Sequence, residues 1–450
     1  MSIDLETPPD LESPDCMPNI VTELPGPNAR AVIARDERFS SPSLTRVYPL
    51  VVSHGRGCTI TDVDGNRFLD FNAGIAVNAA GHAHPAVNAA VHAQTEACMH
   101  YCSSDFYHPV YADLCERLAL SAPMPDAKVF LANSGTEAVE GALKLARHHT
   151  GRPNVIAFYG AFHGRSLGSL SLTASKAKYR SSFGIVTPGA YHAPFAGDNP
   201  GFESGFDGAE YIEQVLFARV TEPQDVAAIF VEPIQGEGGY IVPPAGWLAK
   251  LRDLCDRHGI LLVADEVQSG VGRTGKMWAI EHDGVVPDIL TAGKGLASGL
   301  PLSALIARGD IMQWGPGRHG STFGGNPVAC AAAVATLDLV EGGLAANAAA
   351  VGDRMIGALQ ALQSTQPLIT EVRGRGLMIG IDVTDHDTAE ALEAACFRRG
   401  LLVLTCGKRA IRMAPPLVVT DEQADAAVAI FADACVEVAR VEVARVEVVR

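Results

Sequence analysis

The sequence predicts an α/β fold in which a large, mostly parallel sheet is accompanied by a smaller α+β unit. From about residue 90 to 328, short apolar runs alternate with longer helical stretches. This alternation is typical of a parallel sheet covered by helices on both faces. After residue 328 long helices predominate over strands, and 450 residues with 48% hydrophobic content suffice for a large core.

The chain divides into five predicted segments. Residues 1–18 are rich in acidic residues and proline, and they are predicted to form a disordered arm. Residues 19–89 are expected to join the smaller domain. The remaining segments are a large domain at 90–328, a C-terminal α+β domain at 329–435 and a low-complexity tail at 436–450, where VEVAR is nearly repeated.

The elements follow from apolar runs bounded by turn residues. Two short strands are predicted around the turn 64–66. In the large domain, strands are predicted at 129–132, 155–158, 226–231, 260–264, 289–292 and 304–307, with helices at 138–149 and 247–257. Beyond it, helices are predicted at 327–340, 349–362, 387–398 and 421–435, with strands near 378–382 and 401–404.

Composition excludes several classes of function. The net charge is −16 and no Lys/Arg block occurs, which disfavours nucleic acid or an anionic membrane as a partner. No apolar run approaches ~18 residues, so no membrane span is predicted. The ten cysteines are scattered without a C-x-x-C pair, which predicts reduced thiols, no metal site and a cytoplasmic location.

A carboxylate and a lysine follow two consecutive predicted strands. Asp265 follows the strand 260–264, and Lys294, between two glycines, follows the strand 289–292. Ligands of open α/β sheets bind outside the carboxyl ends of strands. A lysine can form a Schiff base with an aldehyde cofactor, and a carboxylate can keep a pyridine nitrogen protonated. A rim salt bridge and an exposed loop lysine would explain either residue alone.

Two further groups follow predicted strands. Gly135 and Thr136 open the helix after the strand 129–132, where backbone N–H groups favour an anion. An ordinary helix cap explains the same residue types. Phe162 and Arg165 follow the strand 155–158, where they could cover a cofactor ring and hold a carboxylate. Core packing and a surface ion pair are the alternatives.

A competing motif, G-x-G-x-x-G at 270–275, resembles a dinucleotide-binding loop. In such a loop the first glycine comes directly at the strand end. Here residues 265–269 intervene, so a nicotinamide site is disfavoured.

Taken together, the motifs closely resemble those of class III (ω-amino acid) aminotransferases of fold type I, which use pyridoxal phosphate. The resemblance runs from about residue 20 to 430. It rests on DF and GIAV with GHAHP at 70–85, SGTEA at 134–138, FHGR at 162–165, VEPIQGEGG at 231–239, ADEVQ at 264–268, GK at 293–294 and STFGGNP at 321–327.

The resemblance implies a role for each matching residue around the cofactor. Lys294 would attach the cofactor aldehyde and then move a proton. Asp265 would pair with the pyridinium nitrogen, Gln268 would bind near the ring hydroxyl, and Phe162 would stack on the ring.

The resemblance also implies a phosphate site shared between two subunits. Backbone groups of Gly135 and Thr136 would bind the phosphate, and Thr322 would complete the site from the neighbouring subunit. A homodimer, or a tetramer of two such dimers, is therefore expected, with residues 19–89 contributing to the dimer interface.

Four residues are implied in substrate binding. Arg165 matches the arginine that binds a distal carboxylate, and Arg412 the one that binds the α-carboxylate of glutamate. Glu232 is expected to pair with Arg412 and release it when glutamate arrives. Ile75 occupies a position where ornithine-preferring members can carry tyrosine, so it fits 4-aminobutyrate or N-acetylornithine better.

The expected activity is transfer of an amino group from a 4-aminobutyrate-like ω-amino acid to 2-oxoglutarate. Ornithine or N-acetylornithine aminotransferases would use the same residues, and an amino-acid racemase could use the same scaffold. A nicotinamide dehydrogenase and a non-catalytic binding protein are the alternatives from other classes.

Overall fold

The structure is a computed structural model that describes residues 17–184, 186–196 and 207–449. The predicted acidic arm at 1–18 lies almost entirely outside these residues. Side chains are described as far as residue 440.

The N-terminal part supplies a small sheet and several helices. Asp62 turns the chain between two strands by accepting hydrogen bonds from the backbone N–H groups of Asp64 and Asn66 at 2.9 and 2.8 Å. In chain order the elements are α1 (Pro27–Phe39), β1 (Val52–Arg56), β2 (Thr59–Asp62), β3 (Arg67–Asp70), the helical turn α2 (Ala73–Ala76), α3 (Pro85–Ala97) and α4 (Pro109–Ser121).

The central part contains a seven-stranded sheet with helices beside it. Its strands are β4 (Ala127–Ala132), β5 (Asn154–Phe158), β6 (Ala190–Ala193), β7 (Val226–Val231), β8 (Leu261–Asp265), β9 (Ile289–Ala292) and β10 (Ser303–Arg308). Its helices are α5 (Gly135–Thr150), α6 (Leu167–Leu172), α7 (Gly208–Tyr211), α8 (Phe217–Arg219) and α9 (Trp247–His258).

The strand order in this sheet is β4-β10-β9-β8-β7-β5-β6. The pairs from β9 to β6 are parallel, and β10 runs antiparallel to β4 and β9. β7 is buried along its whole length, as expected for a strand covered on both faces. The predicted α/β fold with a mostly parallel large sheet is confirmed.

The C-terminal part forms a second small sheet covered by helices. Its elements are α10 (Pro327–Leu339), α11 (Ala345–Gln363), β11 (Ile369–Arg375), β12 (Met378–Val383), α12 (His386–Arg398), β13 (Leu401–Leu402), β14 (Leu404–Cys406), β15 (Ala410–Met413) and α13 (Asp421–Val449). The sheet order is β11-β12-β15-β14, whereas β13 joins β3 of the N-terminal sheet. The predicted tail at 436–450 continues α13 as helix to Val449.

Among the described residues, one helical run is long and apolar enough by composition to cross a membrane. It is Pro327–Gln363, which combines α10 and α11, and half of its most apolar window is buried within this fold. α10 packs against α3 and α4 of the same chain, as a core helix does.

The glycines at 270–275 have a packing role. They lie in consecutive turns rather than at the start of a helix. A Cβ on Gly272 would lie 2.8 Å from Val340 Cγ1, and one on Gly275 would lie 2.8 Å from Ala349 Cβ. Both glycines have positive φ. Close packing and backbone conformation therefore explain this motif without a dinucleotide.

Candidate active site

The site lies where the parallel strands of the large sheet end. Asp265 ends β8, Glu232 follows β7, and Lys294 comes two residues after β9. A Cβ on Gly293 would lie 3.6 Å from the Cα of Gly135, so the lysine loop adjoins the start of α5. The structure thus brings together the predicted lysine, carboxylates and anion-binding helix start.

Lys294 is partly buried and has a left-handed backbone, with a φ of +41°. Its side chain makes no hydrogen bond or ion pair with another described residue. Burial lowers the pKa of Lys294 to about 8, although the charges of Asp265 and Glu232 oppose that shift. A lysine with this pKa is half uncharged at pH about 8, so a far larger fraction of it is a neutral nucleophile near neutral pH than for an ordinary lysine.

Reactivity at this lysine should therefore depend on pH with a midpoint at pH about 8. Above the midpoint the amine is neutral and able to attack an aldehyde, so incorporation of pyridoxal phosphate into the apo-protein should speed up as pH rises through it. Stopped-flow absorbance at a series of pH values measures this rate. A midpoint near 10.5, the ordinary pKa of lysine, would contradict the effect of burial.

Asp265 is buried and fixed by three donors. His163 Nδ1 donates to Asp265 Oδ2 at 2.7 Å, while Thr291 Oγ1 and the Val267 N–H donate to Oδ1, each at 3.1 Å. Burial alone lowers the pKa of His163, but the hydrogen bond and charge of Asp265 outweigh it and the net pKa is raised. The carboxylate therefore has a fixed orientation at the strand end, as a partner for a ring nitrogen requires.

Glu232 is also buried, and its carboxylate is held by backbone. The N–H of Phe162 donates to Oε2 at 3.2 Å, and the N–H of Gly236 donates to Oε1 at 3.1 Å. Burial raises the pKa of Glu232 to about 7, with a further contribution from the charge of Asp265.

The start of α5 offers free donors. Ser134, its N-cap, makes no side-chain hydrogen bond to the helix backbone. The N–H groups of Gly135 and Thr136 have no acceptor among the described residues. A Cβ on Gly135 would lie 2.7 Å from Val267 Cγ1, so only glycine fits there. Such a helix start suits a phosphate group.

Arg165 and two aromatic rings lie together at one side of the site. Phe162 and Tyr179 meet edge to face, with centroids 5.7 Å apart. The Arg165 guanidinium lies 4.2 Å from the centroid of Tyr179 and 5.7 Å from that of Phe162. Arg165 is exposed and has no carboxylate partner among the described residues, so it is available to a substrate carboxylate.

The partner of Arg412 differs from the one expected. Arg412 lies buried in β15, and its Nη1 donates to Glu237 Oε2 at 3.1 Å. Glu232 is instead held by Phe162 and Gly236, because the chain turns sharply after β7 and directs Glu237 towards β15. The Gly407 N–H donates to the Glu237 carbonyl at 2.8 Å and fixes this turn. The expected pairing of Arg412 with Glu232 is therefore wrong.

The sequence interpretation gave no role to Glu237, His163 or Thr291. Glu237 lies within the motif 231–239, five residues after Glu232, and only the turn between them decides which carboxylate reaches Arg412. His163 lies within the motif 162–165. The available signal for a partner of Asp265 was a histidine in the loop that follows the predicted strand 155–158.

Two predicted residues are exposed to solvent in the single chain. Thr322 is exposed and makes no hydrogen bond with a described residue. Ile75 is 43% exposed and lies in α2, where residues 73–76 all have positive φ. α2 is nevertheless close to the lysine loop, since a Cβ on Gly295 would lie 3.7 Å from the Ala76 carbonyl oxygen.

The residues present fit pyridoxal phosphate. Besides the free N–H groups of α5, Gln268 Oε1 and His163 Nε2 are buried without a hydrogen-bond partner among the described residues. Gln268 follows β8 and would serve a polar substituent of the ring. When bound, the cofactor acts as an electron sink that stabilises negative charge on the substrate carbon.

This fold and this set of residues define a pyridoxal-phosphate-dependent enzyme of fold type I. A family model described as "Aminotransferase class-III" matches residues 40–435. The chain belongs to the class-III aminotransferase family.

Several relatives with different names are similar over most of this chain. An acetylornithine aminotransferase from Methanopyrus kandleri is 43% identical, over 86% of this chain and 94% of the relative. A 4-aminobutyrate aminotransferase from Mycobacterium leprae is 39% identical, over 90% of this chain and 94% of the relative. An alanine/serine racemase from Pyrococcus horikoshii is 38% identical, over 92% of this chain and 91% of the relative.

A solved structure supports both the fold and the cofactor. The ornithine aminotransferase of Toxoplasma gondii, described with partial occupancy of pyridoxal phosphate, superposes with a TM-score of 0.83 at 34% identity. The match covers 91% of this chain and 95% of that one. The protein is thus a pyridoxal-phosphate-dependent transaminase that acts on an amino donor and a 2-oxo acid.

Proposed function

We propose that the enzyme transfers the amino group of a 4-aminobutyrate-like ω-amino acid to 2-oxoglutarate. The ion pair between Arg412 and Glu237 is the observation that carries this proposal. An ω-amino acid of this kind has no α-carboxylate, so it would leave Arg412 as an uncompensated buried cation at a cost of several kcal/mol. Glu237 removes that cost, and Arg165 remains available for the single carboxylate of the donor.

The second half-reaction uses the same two arginines differently. Glutamate and 2-oxoglutarate carry two carboxylates, one for Arg165 and one for Arg412. Arg412 must then leave Glu237, which makes Glu237 the switch between the two kinds of substrate. The proposed role of Glu232 is correspondingly limited to holding the backbone of Phe162 and Gly236 in place.

Glu237→Gln should impair the ω-amino acid half-reaction more than the glutamate half-reaction. The variant leaves Arg412 without a counter-charge, so affinity for 4-aminobutyrate should fall about 10- to 100-fold, whereas glutamate supplies its own carboxylate. Single-turnover absorbance changes, recorded at a series of concentrations of each amino acid, measure the apparent Kd for 4-aminobutyrate and that for glutamate. Glu232→Gln is the matched control, and equal losses in both half-reactions of Glu237→Gln would exclude the switch.

N-Acetylornithine is the second candidate donor, because the Methanopyrus relative named as an acetylornithine aminotransferase is as similar to this chain as any relative reported above. This donor reacts through its δ-amine, so its carboxylate lies distal to the reacting carbon, where Arg165 could bind it while Arg412 stays on Glu237.

A donor comparison tests the proposed function. The holoenzyme, without any oxo acid, is mixed separately with 4-aminobutyrate, ornithine and N-acetylornithine while the cofactor absorbance is followed. If 4-aminobutyrate converts the cofactor fastest, the proposal is supported. If ornithine or N-acetylornithine converts it faster, that compound is the donor instead. Loss of optical activity in alanine without conversion by any donor would make the protein a racemase.

We further propose a homodimer located in the cytoplasm. Around Thr322, exposed apolar side chains include Met99, Tyr101, Phe106 and Phe323. Such a patch is typical of a protein interface, and a second copy would bring Thr322 to the phosphate of its partner. Analytical ultracentrifugation measures the number of chains in the assembly.

The proposed cytoplasmic location is supported by the cysteines. The nine described cysteines are free thiols, which suits a reducing compartment.

A further inference from the structure

Glu237 has a second cation beside it that the proposed exchange does not use. Lys176 Nζ lies 3.1 Å from Glu237 Oε1, on the carboxylate oxygen opposite the one bound by Arg412. The Tyr179 hydroxyl donates to the same Oε1 at 3.1 Å. One carboxylate therefore has three donors from two elements that are far apart in sequence.

The two cations differ in their surroundings. The side chain of Arg412 is 7% exposed and lies in β15, whereas that of Lys176 is 30% exposed and precedes the short helical turn Ala177–Tyr179. Burial raises the pKa of Glu237, but Arg412, Lys176 and Tyr179 outweigh it and the net pKa is lowered. Glu237 is thus an anion that two cations share.

We propose that Lys176 is a positioning residue that sets how readily Arg412 leaves Glu237. This inference rests on the proposed exchange of Arg412 between Glu237 and a substrate α-carboxylate. If Arg412 were the only cation there, its departure would leave a buried carboxylate uncompensated, which is strongly unfavourable. Lys176 and Tyr179 keep Glu237 compensated on its other oxygen while Arg412 binds the substrate.

The consequence is specific to substrates that carry an α-carboxylate. For glutamate and 2-oxoglutarate, Lys176 lowers the free energy needed to release Arg412. For 4-aminobutyrate, Arg412 stays on Glu237 and Lys176 has no such effect. Lys176 therefore favours the dicarboxylate half-reaction and determines the balance between the two substrate classes.

Lys176→Met tests this inference in the holoenzyme. Its apparent Kd for glutamate in single-turnover experiments should rise about five- to tenfold, while that for 4-aminobutyrate should change less than about twofold. Lys176→Arg keeps the charge and should restore the glutamate value. Lys178→Met is the matched control, because Lys178 lies in the same turn without an ion pair to a described residue.

The outcomes separate the inference from the proposed function. An unchanged ratio of the two Kd values in Lys176→Met, or an equal change in Lys178→Met, would overturn the role of Lys176. A wild type that reacts with glutamate but not with 4-aminobutyrate would overturn the proposed donor alone, and the glutamate Kd would still test Lys176. A wild type that reacts with neither would overturn both.

Discussion

Lys294→Ala is expected to abolish covalent attachment of pyridoxal phosphate and to lower transaminase turnover by at least about 10³-fold. Lys294 follows the end of β9, and its loop lies next to the start of α5, where backbone N–H groups have no acceptor among the described residues. Its removal would take away both the expected attachment point and the expected base that moves a proton at the substrate carbon. A positioned acid–base group alone contributes roughly 10²–10⁴-fold.

Borohydride reduction followed by mass measurement of the intact chain gives the direct readout for Lys294. The wild type should gain the mass of the reduced cofactor, and Lys294→Ala should not. Lys276→Ala is a suitable control, because Lys276 is exposed and, among the described residues, its one hydrogen bond goes to the Glu281 carbonyl at 3.0 Å. A reduced adduct in Lys294→Ala would mean that another lysine is the anchor.

The positions of the chemical groups on the large sheet could be predicted because they depend on local sequence. An apolar run of five residues between Gly259 and Asp265 is typical of a short buried strand that ends in a carboxylate. Lys294 follows the next such run, and parallel pairing then brings the two strand ends together. Gly135 could be placed for the same reason, since a strand precedes it and a helix follows.

The contacts of Arg412 could not be predicted in the same way. Its partner is 175 residues away in sequence, and two glutamates five residues apart were available. The choice depends on a turn at Gly236 and on a backbone hydrogen bond from Gly407, which sequence patterns do not reveal. Strand β15 itself is only four residues long, and its pairing with β12 is a long-range contact.

Other parts of the site depend on interactions that a sequence pattern does not encode. Lys176 pairs with Glu237 from the residue before the short helical turn Ala177–Tyr179, in a distant part of the sequence. The left-handed backbone of residues 73–76 is unfavourable for non-glycine residues. Asp70 stabilises it by accepting hydrogen bonds from the N–H groups of Asn72 and Ala73. The expected role of Thr322 at the phosphate would require a second copy of the chain.

Asp265→Asn is expected to lower kcat by about 10²–10⁴-fold while the protein remains folded. Asparagine has the same size, and its amide oxygen can still accept from Thr291 Oγ1 and the Val267 N–H. Its amide nitrogen then faces His163 Nδ1 and can donate to that nitrogen when the imidazole is neutral. It lacks the negative charge that keeps a pyridine nitrogen protonated, and without that proton the ring is a much weaker electron sink. The free energy of unfolding should change by at most about 1–3 kcal/mol.

The pKa of His163 distinguishes loss of this charge from general damage to the site. Asp265 is the group that raises it, so in Asp265→Asn the pKa of His163 should fall, which NMR titration of the histidine measures. A normal kcat in a variant with a lowered His163 pKa would exclude the role of Asp265 opposite the ring nitrogen.

Asp288→Asn provides the matched control for Asp265, because Asp288 is a buried carboxylate just before the opposite end of β9. It pairs with Arg252 at 2.8 Å and Arg308 at 2.7 Å, and it accepts from the Leu262 N–H at 2.8 Å. Loss of its charge should cost about 1–3 kcal/mol of stability and leave kcat near the wild-type value. We therefore expect the buried carboxylate before the amino end of β9 to contribute to stability, and the one at the carboxyl end of β8 to contribute to the reaction.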